Sequence, residues 1–95
     1  MTQHTEHKVK SYPQYFAPTI AGAKTHELRA NTDSGPFSVG DVIILQEYDQ
    51  TTEKYTGREC KVLVTYMSPM PKPWLETGYT LMSIRLIKKP WWHVF

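Results

Sequence analysis

At 95 residues, with 40% hydrophobic and 21% charged residues, the chain can build one domain with a single core and is too short for two. That balance excludes a disordered polar segment, and a formal net charge of +2 is too small to establish a nucleic-acid binder by itself. The single cysteine, Cys60, excludes an internal disulfide framework and suits a reducing cytoplasm, and no apolar run approaches the roughly 18 residues of a membrane span. The polar first residues also lack a signal-peptide core. The expectation is therefore a cytoplasmic domain, with a monomer favoured.

The charge is unevenly spread. Residues 1–60 hold six Lys or Arg against eight Asp or Glu, whereas residues 61–95 hold five against one, together with Trp74, Trp91 and Trp92. His4 and His7 are three apart, but the third and fourth ligands a zinc site needs do not follow, so no metal is expected. No cofactor motif is present either, and none is assigned.

In chain order, residues 1–7 read as a flexible start, and His7 to Lys10 as a short first strand with Val9 its one apolar residue. The segment Tyr12 to Gly22 reads as a helix: Ser11 as N-cap, Pro13 in the first turn, and Tyr12, Phe16 and Ile20 on one stripe. Pro18 is a misfit that weakens or kinks it, and Gly22 closes it with a positive φ. The chain then enters a polar stretch, Lys24-Thr25-His26-Glu27-Leu28-Arg29. As a strand, it directs Thr25, Glu27, Arg29 and Asn31 to one face and Lys24, His26 and Leu28 to the other. Hydroxyl, carboxylate, guanidinium and amide in one row can hold a polar ligand; the plainer reading is a solvent-facing strand with a cross-strand ion pair.

A turn-rich loop follows from Asn31 to Gly40, with Phe37 anchoring it. Val42-Ile43-Ile44-Leu45 is the strongest strand signal, four apolar residues suggesting burial on both sides, and the strand continues to Tyr48. After a turn over Asp49 to Lys54, Arg58 to Met67 returns as a strand with Cys60, Val62, Val64 and Tyr66 inward. Cys60 is then a small core residue rather than a nucleophile. Ser68 to Trp74 is a proline-studded loop in which Trp74 either caps the fold or offers a contact. Tyr79 to Ile87 forms the last strand, and residues 88–95 a basic aromatic tail. About five strands and one short N-terminal helix give a mixed α+β, mainly β class: a small, partly closed barrel spanning residues 8–87.

Five blocks in order resemble the ASCH superfamily of PUA-like barrels. They are Tyr12 to Phe16, Gly22 to Arg29, Asn31, Phe37 to Asp41 and Leu45 to Asp49. Together with Tyr55-Thr56-Gly57-Arg58 and Gly78-Tyr79, they look most like a short bacterial and phage ASCH-related family of unknown function. The resemblance implies a cleft between the first helix and the sheet, a role in binding RNA or nucleotides, and Lys24, Glu27 and Arg29 as cleft-lining positions. Some small ASCH relatives are amidohydrolases that deacylate N4-acetylcytidine with a lysine at the position of Lys24 and a threonine three residues later. Here Glu27 holds the threonine position, and the helical insertion carrying the relatives' glutamate is missing. Glu76 is the only acid of that region.

Three functions follow as alternatives. The first is binding of RNA or a nucleotide by Lys24, Thr25, Glu27, Arg29 and Asn31, with Arg58 beside them and Tyr48, Tyr55 or Trp74 stacking on a base. The second is amide hydrolysis on an acylated nucleoside by Lys24 and Glu27. The third is a protein-interaction domain in which Glu27–Arg29 and Glu47–Arg58 are ion pairs that hold the barrel.

Overall fold

The computed structural model describes residues 4–30, 32, 35–69, 72–73 and 78–88. Strand β1 (Glu6–Ser11) leads into helix α1 (Pro13–Ile20), followed by β2 (His26–Ala30), β3 (Val42–Asp49), β4 (Lys54–Ser68) and β5 (Tyr79–Lys88). The five strands form one sheet in the order β1-β3-β4-β5-β2, curled into a half-barrel. β1 runs parallel to β3, and every other pair is antiparallel. Consecutive strands β1 and β2 thus lie at opposite edges, and α1 is the link that carries the chain between them. No helix among the described residues is long and apolar enough to cross a membrane.

Strand β1 alternates cleanly, with His7, Val9 and Ser11 buried and Glu6, Lys8 and Lys10 exposed. It begins at Glu6, inside the segment expected to be flexible, because His7 has a buried partner: its Nε2 lies 2.8 Å from Asp41 Oδ2. Phe37 stacks at a tilt on the His7 ring, and so does anchor its loop. The inner face is filled by Val9, Ile43, Leu45, Val62, Val64 and Met82, on which α1 lays Phe16 and Ile20. Ile44 is buried as well, on the other face, so the run Ile43-Ile44-Leu45 is covered on both sides as expected.

Two local expectations are corrected. Ser11 is not the N-cap of α1. Tyr12 takes that position in an extended conformation with no side-chain cap, since β1 pairing carries on through Ser11 and turns its side chain inward. Pro18 lies inside the helix, as the sequence places it, and the helix runs on to Ile20. The carbonyl that Pro18 leaves without a helical donor belongs to exposed Gln14, where water can reach it. Tyr66 does not point inward but is 55% exposed. Between Val64 and Tyr66, β4 advances two residues while β5 advances one, and this bulge flips the alternation so that Met67 packs on the core instead.

A second irregularity shapes the other end of β4. From Gln46 to Tyr48, β3 advances two residues while β4 runs from Glu59 to Tyr55. The extra length lies in Thr56-Gly57-Arg58, and Gly57 has a φ of 89°, which favours glycine. β4 therefore starts at Lys54, four residues before the strand expected from sequence.

Candidate functional site

The cleft lies where the end of β1, the start of α1 and strand β2 meet. It has a volume of about 550 Å³ and is walled by Lys10, Ser11, Tyr12 and Tyr15 on one side and Lys24, His26, Glu27, Leu28 and Arg29 on the other. Gly22, at a φ of 80°, reverses the chain out of α1, and the Ala23 and Lys24 amides both donate to the Pro18 carbonyl. That wrap holds Lys24 beside the strand rather than in it.

Glu27 is the centre of the site. Its carboxylate is only 4% exposed, and each oxygen has its own cation. Lys24 Nζ contacts Oε1, and Arg29 Nε donates to Oε2 at 2.8 Å. Lys24 also donates to the His26 carbonyl, and Arg29 reaches across to the Lys10 carbonyl at 2.6 Å. Burying one carboxylate is costly alone, and two partners offset that cost while leaving positive charge over. With Lys10 included, three cations face one carboxylate around the cleft.

The expected strand faces hold for Glu27 and Arg29, which share the inner side, and for exposed His26 and Leu28. They fail for Lys24. Because β2 begins only at His26, alternation does not govern Lys24, and it joins Glu27 rather than opposing it. Thr25 is exposed, and its carbonyl accepts from the Ile84 amide at 3.0 Å, so its contribution is to the sheet. Asn31, Trp74, Glu76 and the aromatic tail of residues 89–95 lie outside the described residues.

The remaining expected residues form a second cluster beside the cleft. Tyr48 and Tyr55 face each other across β3 and β4 with ring centroids 5.1 Å apart, edge to face. Tyr12, a cleft residue, approaches Tyr48 at 6.4 Å, and Lys10 Nζ sits 4.2 Å from the Tyr48 ring centre. Lys10 and Tyr12 therefore join the two clusters into one surface. Arg58 does not enter the cleft. It is held by Glu47, whose Oε1 accepts from Arg58 Nε at 2.6 Å and from the Thr56 hydroxyl at 2.8 Å.

A family model described as a domain of unknown function (DUF3850) matches residues 6–84, most of the chain. The chain belongs to that family. The match takes in all of the cleft residues and the Tyr48–Tyr55 pair beside them. Among curated proteins, nothing matches the chain.

Sequence reasoning missed Lys10, Ser11, Tyr12, Tyr15, His26 and Leu28 as cleft residues. The alternation of β1 was legible in Val9 and the flanking lysines, but the place where β1 hands over to α1 was not, and that handover forms half of the cleft. Cys60, by contrast, behaves as expected. Burial pushes its thiol up to about 12, helped by the negative charges of Glu27 and Glu59, so it is not a nucleophile at neutral pH.

Proposed function

We propose that the cleft binds a nucleotide, free or within RNA. The observation that carries this reading is the excess of positive charge around one buried carboxylate, in a cleft of nucleotide size with tyrosines on its wall. Lys10, Lys24 and Arg29 set positive charge around a phosphate, the two lysines as point charges and the arginine as a planar guanidinium. Tyr12 and Tyr15, both substantially exposed, offer ring faces for a base, and Tyr48 with Tyr55 extends that aromatic surface. Each Glu27 oxygen keeps acceptor capacity beyond its cation, which suits an exocyclic amine. The resemblance of Lys24, Glu27 and Arg29 to the cleft positions of ASCH domains supports the same ligand class and the PUA-like description of the half-barrel.

The test is an NMR titration of labelled protein with cytidine, N4-acetylcytidine, mononucleotides and short single-stranded RNAs, following substrate and product in the same tube. Expected are shifts at Tyr12, Lys24, Glu27 and Arg29, tighter binding of nucleotides than of nucleosides, and weakening as salt is raised. Loss of the acetyl group would replace simple binding by amide hydrolysis with Lys24 beside Glu27. No shift with any of these probes would overturn the reading and favour a protein-interaction domain.

A further inference from the structure

Ser11 carries an inference of its own, resting on the nucleotide-cleft reading. Its side chain is one of the most enclosed polar groups of the protein, 3% exposed, and it forms part of the cleft wall. Among the described residues its Oγ has no hydrogen-bond partner. A buried hydroxyl without a partner is costly, and most native proteins avoid it.

The surroundings explain why the fold does not satisfy it. Ser11 is the register partner of Glu47 across the parallel β1–β3 pair, which makes that carboxylate its natural acceptor. Glu47 Oε1 is instead taken by Thr56 and Arg58, brought in by the Gly57 bulge. On the other side, Glu27 is taken by Lys24 and Arg29. Ser11 also plays no capping role for α1, whose N-cap position is taken by Tyr12. The Ser11 hydroxyl is left over by both of these carboxylate networks, just beneath the cleft wall that Ser11 helps to form.

We infer that Ser11 is a ligand-recognition residue of the cleft, whose hydroxyl exchanges its one hydrogen bond with the polar edge of a bound nucleobase. A hydroxyl both donates and accepts, so the bond forms with a ring nitrogen, a carbonyl or an exocyclic amine. Ligands that present only C–H there are rejected, because they leave the buried group unpaired.

The experiment compares the wild-type full chain with Ser11→Ala and Ser11→Thr by two readouts: melting temperature without ligand, and Kd for the four ribonucleoside 5′-monophosphates. For Ser11→Ala the melting temperature stays level or rises, since no partner among the described residues is lost. Affinity for the best-bound nucleotide falls about three- to tenfold, the range of one neutral hydrogen bond. Ser11→Thr, which keeps the hydroxyl, recovers most of that loss. Wild-type affinity in Ser11→Ala would overturn the inference and leave the cleft reading standing. A melting temperature several degrees lower in Ser11→Ala would also overturn it, by showing that the hydroxyl serves the fold. Failure of the wild-type protein to bind any of the four, or a short single-stranded RNA, would remove the cleft reading, and this inference with it.

Discussion

Arg29 on β2 donates through its guanidinium to the main-chain carbonyl of Lys10 on β1, at 2.6 Å, joining the two edge strands of the sheet. Among the described residues those edges are not paired strand to strand, so this side chain bridges the gap across the cleft. Glu27 aims it by holding Nε. One arginine therefore serves both the shape of the sheet and the charge of the site.

Replacing Arg29 tests that bridge. Arg29→Ala leaves the buried Glu27 carboxylate with Lys24 alone and frees the Lys10 carbonyl. Unfolding free energy should fall by about 1–3 kcal/mol, the range for a buried group losing a charged partner. Arg29→Lys keeps the charge but cannot make the fork, and should recover only part of it. Urea denaturation of the two variants measures this. A loss within about 0.5 kcal/mol for Arg29→Ala would mean that the edges are held by other contacts.

The Glu47–Arg58 pair is asymmetric, and the asymmetry is measurable. Glu47 is buried at 2%, whereas the Arg58 side chain is 48% exposed. Arg58→Ala strands a buried carboxylate that still accepts from the Thr56 hydroxyl, and should cost about 1–3 kcal/mol. Adding Glu47→Gln removes the stranded charge, so the double variant should be more stable than Arg58→Ala alone. A double-mutant cycle in guanidinium decides it; strict additivity would show that the pair is not coupled.

Asp41 sets an acid limit on the fold. Burial pushes its carboxyl up. The His7 hydrogen bond, the Thr5 and Ser38 amides and the His7 charge together outweigh that, and hold it below its ordinary 3.8. Because the folded value is depressed, the unfolded chain takes up the proton first as pH falls. The stability Asp41 contributes is therefore complete above about pH 4–5, and is lost below the ordinary carboxyl value as pH drops toward the folded one. Asp41→Asn should flatten this part of the stability profile, as read from melting temperatures between pH 2 and 6. It should also lower stability near pH 7, where the native carboxylate is fully charged. An unchanged acid slope in the variant would assign it to other carboxylates.

Cys60 gives the opposite sign. Its folded thiol is raised to about 12 from an ordinary 9.0, so the native state keeps a proton that the unfolded chain releases. Stability should therefore decline as pH rises above about 9. At pH 8 the native thiol should resist alkylation by iodoacetamide and react only after unfolding in denaturant. Rapid labelling of the folded protein would show that β4 opens locally at Cys60.

Much of this architecture is determined by the sequence alone, because it depends on local chemistry. Val42 to Leu45 states a buried strand by composition, and Phe16 and Ile20 state the inner face of a helix by spacing. Gly22 marks the reversal out of that helix, and Glu27 with Arg29 share a face because strand geometry leaves no alternative.

What only the tertiary structure decided concerns residues whose role depends on partners far away in the chain. Ser11 has the composition of an N-cap, but pairing with β3 keeps it in β1 and buries it. Tyr66 fits an inward position until the β4–β5 register slips by one residue and exchanges it for Met67. Lys24 stands outside the strand whose alternation would have sent it away from Glu27. In each case the local pattern was sound, and a long-range register or a strand boundary overrode it. A side chain's direction in a sheet changes with every single-residue shift, and nothing within a few neighbours records that shift.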